Sequence, residues 1–229
     1  MYPIISEKVN LKAEDIQAMQ ILYGPSVLAV APIKSPTVFD ISFYVQKYSD
    51  VAAAQVDPFH HYNTYGFKEL RDPDWLFSTG FYFEKNPDVL QAGINPLVHY
   101  LEFGAAEGRD PHPLFDSSFY LSENQDVRLA GVNALEHWKQ WGASEGRDPN
   151  FLFDTDYYIE SNRDVADSGM NPLEHFMNYG WKEGRDPSGS FSTTKYLDTY
   201  GDVSAAGVNP LSHYLEYGIN EGRDEFIYM

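Results

Sequence analysis

Three residue types that can do chemistry recur at one fixed spacing. His61, His99, His137, His175 and His213 stand 38 residues apart, as do Asp50, Asp88, Asp126, Asp164 and Asp202, and Arg71, Arg109, Arg147, Arg185 and Arg223. Histidine near carboxylates is the raw material of proton transfer and of metal ligation, and such a row would line a groove. Five copies argue for architecture instead, because one reaction rarely needs its site five times. Each histidine is expected to hydrogen-bond a backbone group or the repeated aspartate and so fix a turn between helices. Each arginine, followed by aspartate as in Arg185-Asp186, is expected to form a structural ion pair or to cap helix-end carbonyls, since buried charges need satisfied partners. All fifteen are read as structural, and no catalytic, cofactor-binding or metal-ligating residue is assigned.

Calcium is the one cofactor the composition leaves open. Hard-cation loops need several oxygen ligands within about a dozen residues and a glycine for the turn. Asp154, Asp156 and Asp164 do not match that spacing, so the surplus acid reads as a solvated face. Trp75, Trp138, Trp141 and Trp181 are candidate platforms for a sugar ring, although aromatics in repeats more often form core.

The bulk composition narrows the classes further. With 16 Lys+Arg against 34 Asp+Glu the formal charge is −18, and the field of the molecule repels nucleic-acid phosphates and anionic lipid. No stretch approaches the roughly 18 apolar residues that span a bilayer. No cysteine is present, which removes disulfides, thiol nucleophiles and thiolate metal sites. At 43% hydrophobic and 22% charged the chain has a globular balance, and 16% aromatic content points to a repeated aromatic pattern.

That pattern is a tandem repeat of five units: 39–76, 77–114, 115–152, 153–190 and 191–229, preceded by segment 1–25 and a linker 26–38. Gly66, Gly104, Gly142, Gly180 and Gly218 keep the same period, as do Phe39, Phe77, Phe115, Phe153 and Phe191. In the fourth unit Asp154 is placed to cap a short helix that Asn162 ends, and Asp164 to cap a second that Gly169 stops. Asn171-Pro172-Leu173-Glu174 starts a third, expected to run to Tyr179 with Leu173, Phe176 and Tyr179 on one face. Gly180 and Gly184 are expected to supply positive φ at helix ends, and Asp186-Pro187 to break helix before the next unit. Unit one departs most, with Gln55 and Leu70 where later units have glycine. The fold expected is all-α, a solenoid-like array of five helical repeats with aromatics at the unit interfaces.

The motif Tyr157-Tyr158-Ile159, Asn162, Asp164-Val165, Asn171-Pro172-Leu173, His175-Phe176 and Glu183-Gly184-Arg185-Asp186-Pro187 resembles repeats of large secreted or surface proteins of proteobacteria. Residues 39 to 229 share it, and the resemblance implies no particular chemistry.

The N-terminus is a different text. Met1-Tyr2-Pro3 leads to Leu11, Glu14-Asp15-Ile16, Met19-Gln20 and Leu22-Tyr23-Gly24-Pro25, where Ile16, Met19, Leu22 and Tyr23 form an amphipathic stripe closed by glycine. Residues 1–25 resemble the end of a matrixin- or serralysin-type metzincin protease, with Met1 at the Met-turn. The family's zinc motif, His-Glu-x-x-His-x-x-Gly-x-x-His, occurs nowhere in the chain. The end, Asp224-Glu225-Phe226-Ile227-Tyr228-Met229, is similar to the terminal signal of serralysin-like proteins, or serves to cover the last unit. Met1–Asn10 has neither the basic start nor the apolar run of a secretory leader.

The function expected is a non-enzymatic scaffold or protein-interaction module, part of a larger assembly, with Ile16, Met19, Leu22 and Tyr23 as the docking stripe. The alternatives are the C-terminal part of a secreted metalloprotease and a cell-surface carbohydrate binder. An extracellular, surface or periplasmic setting is implied by the resemblances, with the cytoplasm left open.

Overall fold

A computed structural model of the chain describes residues 37–224. The stripe of Ile16, Met19, Leu22 and Tyr23 and the terminal run from Glu225 lie outside the described residues. The described chain is predominantly helical and has no sheet, only four isolated two-residue bridges.

Each unit carries three short helices. They are α1 (Ile41–Lys47), α2 (Ser49–Ala54) and α3 (Pro58–His61); α4 (Thr79–Lys85), α5 (Pro87–Ala92) and α6 (Pro96–His99); and α7 (Ser117–Glu123), α8 (Gln125–Ala130) and α9 (Ala134–Gln140). The series continues with α10 (Thr155–Ser161), α11 (Arg163–Ser168) and α12 (Pro172–His175), then α13 (Thr193–Thr199), α14 (Gly201–Ala206), α15 (Pro210–His213) and a last turn, α16 (Ile219–Glu221). Helices of six or seven residues do not persist alone, so burial of one apolar face must hold them.

Local chemistry sets the boundaries. Asp154 Oδ1 accepts the Tyr157 amide at 2.8 Å and starts α10, and Asn171 Oδ1 accepts the amides of Leu173 and Glu174 and starts α12. The helix α11 begins two residues before expectation: Asn162 occupies its cap position and Asp164 lies inside the first turn. Asn162 is committed to both neighbours, donating Nδ2 to the Tyr158 carbonyl at 2.7 Å.

The third helix does not end where the sequence places it. After His61, His99, His175 and His213 the backbone widens into a π turn, Tyr62–Gly66, Tyr100–Gly104, Phe176–Gly180 and Tyr214–Gly218. A π turn adds a residue and shifts the phase of the positions beyond it. Tyr179 therefore leaves the face of Leu173 and Phe176 and stands 53% exposed against His175. In unit three the helix stays α-helical through Gln140, and a 3-10 turn, Gly142–Glu145, comes after it.

The core holds one aromatic trio per unit. Phe39, Phe77, Phe115, Phe153 and Phe191 are buried, each with its ring centroid 5.3–5.6 Å from Tyr44, Tyr82, Tyr120, Tyr158 or Tyr196. Tyr62, Tyr100, Trp138, Phe176 and Tyr214 supply the third ring of each unit at 5.6–5.9 Å. Full burial of such a side chain stabilises by about 1.5–3 kcal/mol. Val38, at the end of the expected linker, is itself fully buried.

The start and the end of each of the first four units are tied together by backbone. The amides of Asp40, Ser78, Asp116 and Asp154 donate to the carbonyls of Pro73, Pro111, Pro149 and Pro187, 33 residues on, at 2.9–3.1 Å. Contacts also reach two and three units away. Thr37 Oγ1 donates to Glu136, Trp75 packs on Trp138 at 6.4 Å, and Lys139 pairs with buried Asp74. Lys85 lies 5.7 Å from the Tyr217 ring.

Unit one carries strain its successors avoid. Gln55 and Leu70 hold φ of 53° and 56°, left-handed values that their counterparts Gly93 and Gly108 adopt freely. Side chains in that region cost about 1–2 kcal/mol, offset in part by the lower unfolded-state entropy of a residue other than glycine. Leu70→Gly and Gln55→Gly should each raise the unfolding free energy by about 0.5–1 kcal/mol, read from urea midpoints at constant slope. Gly131→Ala should shift the midpoint the other way.

Candidate functional site

The repeated histidine sits at the end of the third helix, where it faces the first helix of its own unit. Its Nδ1 shares a hydrogen bond with a tyrosine hydroxyl 17 residues earlier: Tyr44 with His61 (3.0 Å), Tyr82 with His99 (2.8 Å), Tyr120 with His137 (2.8 Å), Tyr158 with His175 (2.9 Å) and Tyr196 with His213 (2.9 Å). The partner is thus neither backbone nor aspartate, because the aspartate lies on the second helix and is held elsewhere. The tyrosine rings are fully buried. Burial raises the tyrosine pKa far above its ordinary value, so the hydroxyl stays protonated.

The same hydroxyl explains the repeated glycine. A Cβ on Gly66, Gly104, Gly142, Gly180 or Gly218 would overlap the hydroxyl of Tyr44, Tyr82, Tyr120, Tyr158 or Tyr196. These glycines do not have positive φ, contrary to expectation for Gly180; they are a close approach of backbone to side chain. Gly184, at φ 75°, does serve as the left-handed stop.

The arginine closes the unit from the other side. Arg185 binds Asp164 through both terminal nitrogens at 2.7 Å, Glu183 through Nε at 2.6 Å and Asn162 Oδ1 at 3.0 Å. Arg71, Arg109, Arg147 and Arg223 repeat the clamp on Asp50, Asp88, Asp126 and Asp202. The guanidinium holds Asp126, Asp164 and Asp202 down to about 2. The aspartate next to the arginine in sequence is not its partner. Asp72, Asp110, Asp148 and Asp186 instead accept the first-helix amide of the next unit, from Thr79, Ser117, Thr155 and Thr193, at 2.8–2.9 Å.

Two features escape the sequence reading. In the end units Tyr48 and Tyr200 replace Asn86, Asn124 and Asn162, stack under the guanidinium at 4.9 and 4.7 Å, and accept the amides of Asp72 and Asp224. Before each Leu-Phe or Ser-Phe turn stands a different polar residue, Asp74, His112, Asn150 or Ser188, that accepts the amide two residues on at 2.9–3.2 Å. The shared signal is an acceptor atom on a short side chain, which residue identity hides. Of the four tryptophans, Trp138 is fully buried and donates Nε1 to the Arg147 carbonyl, which withdraws it from any sugar platform. Trp141 is 46% exposed.

A cavity of about 270 Å³ lies among Phe43, Lys47, Asp72, Asp74, Trp75, His112 and Met177. Lys47 is committed to Asp72 at 2.8 Å, and His112 Nδ1 accepts from Leu114, which places its imidazole proton on Nε2. Among the described residues no three histidine or carboxylate groups gather as a metal site, and no helix is long and apolar enough to cross a membrane. Comparison with family models, with curated proteins and with solved structures finds no match for this chain.

The tyrosine–histidine bond can be weighed by substitution and by pH. Tyr120→Phe leaves His137 Nδ1 without its partner and should cost about 1–3 kcal/mol, and Gly142→Ala should cost at least as much through overlap with the same hydroxyl; chemical denaturation of both variants measures this. Burial, with the nearby arginine, depresses the pKa of His99, His137 and His175 below 6.5. The unfolded chain then binds protons that the folded chain refuses, so their stabilisation is complete above pH about 6.5 and fades below it. Burial pushes Asp110 up to about 7, which acts in the opposite sense. In an Asp110→Asn background, stability should fall between pH 7.5 and 5.5, and fall less once His99 is also replaced by Gln.

Proposed function

We propose that this chain is a non-catalytic helical-repeat scaffold, five 38-residue units wound as a solenoid in which each unit sits beside the next and rests on the unit three ahead. The observation that carries the reading is saturation: five times over, the histidine Nδ1, the arginine and the aspartate that could do chemistry are bound to one another's helices. Groups needed for catalysis are poised for substrate; these are spent on tertiary contacts.

Support for the winding comes from the contacts between units one and three, one and four, and two and five. The outer surface combines the net charge of −18 with scattered exposed apolar side chains, among them Ile41, Leu90, Leu129 and Phe151. A partner of such a surface is a protein or a larger assembly, and the charge disfavours nucleic acid. The secreted or surface setting rests on the resemblance of residues 39–229 to repeats of such proteins.

Five variants, His61→Gln, His99→Gln, His137→Gln, His175→Gln and His213→Gln, test the scaffold in parallel. Each should lower stability by about 1–3 kcal/mol, and complementation of a deletion strain should decline in step with that loss. If one histidine alone abolishes complementation while its stability matches the other four, that unit is an active site and the scaffold reading fails.

A further inference from the structure

The cavity where units one, two and four meet has a lining that the repeat does not require. Unit one contributes Phe43, Lys47 and Trp75, unit two His112, and unit four Met177 and Asn178. The same gap recurs one unit on, among Phe81, Lys85, Asp110 and Leu215, at about 380 Å³. There Pro113 takes the place of Trp75 and Glu216 that of Asn178, while Asn150, the counterpart of His112, lies outside the lining. The winding makes the gap, and departures from the repeat give the first gap its chemistry.

The ionised groups at its wall are already paired, Lys47 with Asp72 at 2.8 Å and Asp74 with Lys139. Neutral donors remain. Among the described residues the Nε2 hydrogen of His112 and the Nε1 hydrogen of Trp75 have no acceptor, and neither nitrogen is sealed from solvent. Burial, and after it the Lys47 ammonium, push the His112 pKa down to about 3, so the imidazole stays neutral. Phe43 and Met177 supply apolar wall beside these donors.

Charge and hydrogen bonding narrow the occupant. An anion would meet no free cation there and a surrounding chain of net charge −18, and a cation would meet carboxylates already taken. A hydrocarbon would cover two N–H groups and leave them without a partner. We propose that the cavity binds a neutral sugar, one pyranose ring whose hydroxyl oxygens accept from His112 Nε2 and Trp75 Nε1 and whose C–H side lies against Phe43 and Met177. Ligand pockets commonly run about 300–1,000 Å³. At about 270 Å³ this one holds a single ring, the end or branch of a glycan, and not a length of chain. The inference goes beyond the scaffold reading, because none of the five repeated histidines or arginines lines the cavity.

Titration of the isotope-labelled full chain with the methyl glycosides of glucose, galactose, mannose and N-acetylglucosamine, read by NMR at the four indole N–H signals, is the test. Trp75→Phe, which places in unit one the residue that unit three has as Phe151, identifies the Trp75 signal by its loss. At least one glycoside should move that signal saturably, with a dissociation constant of roughly 1–10 mM. His112→Asn keeps the turn, because Asn150 accepts the same amide in unit three, and removes the imidazole donor. It should weaken binding about tenfold, the effect of losing one hydrogen bond. If its urea midpoint falls, His112→Ser, after Ser188 of unit four, serves instead. A Trp75 signal that no glycoside moves at about 100 mM, a histidine variant that binds as tightly as wild type, or a tighter response to benzoate than to any glycoside overturns the proposal. The comparison of the five repeated histidines reads complementation and is untouched by any of these results.

Discussion

The structure hangs on one hydrogen bond per unit, between the hydroxyl of a buried tyrosine on the first helix and histidine Nδ1 at the end of the third. The bond fixes the angle between two helices too short to hold themselves. It also fixes the backbone beneath: the hydroxyl presses on the chain one turn further, so that position admits only glycine, in all five units. In four of them the backbone there widens into a π turn that lets the ring enter. Unit three has Trp138 in the third ring position and keeps an α-helix there, yet its Tyr120–His137 bond survives at 2.8 Å. The hydrogen bond is the constant and the backbone adjusts to it.

Around that bond the polar groups divide the labour. Arginine ties the second helix to the end of the third segment, and the next aspartate reaches forward to the adjoining unit. Exposed ion pairs contribute little individually. Their value here is geometric, because a planar guanidinium with a carboxylate on one edge and an amide oxygen beside it permits a single arrangement of three strands of chain. At both ends of the array the amide gives way to tyrosine, whose ring shields the guanidinium from one face.

Much of this architecture is legible in the residues. The period, the capping role of Asp154 and Asn171, and the left-handed stops at Gly169 and Gly184 all come from local rules that need only a few neighbouring positions. The partners of His175 and Arg185 are not legible, because they lie 17 and 21 residues away and periodicity registers a tyrosine only as a core ring, not as a hydroxyl with a destination. Gly180 misleads for a similar reason: glycine signals either a backbone angle or a close approach, and the second depends on a side chain from another helix. The π turn leaves no local mark, and its consequence, the outward rotation of Tyr179, is hidden with it.

The four unlike residues before the Leu-Phe or Ser-Phe turns carry a last implication. All four satisfy the same amide, so the turn itself does not choose among Asp74, His112, Asn150 and Ser188. Only Asp74 is matched to Lys139, and no other unit offers that lysine the same carboxylate. Near-identical modules in one chain risk pairing with the wrong sibling as they fold, the characteristic failure of tandem arrays. Divergence at a spot the local geometry tolerates gives unit one an address that unit three alone answers, through Lys139.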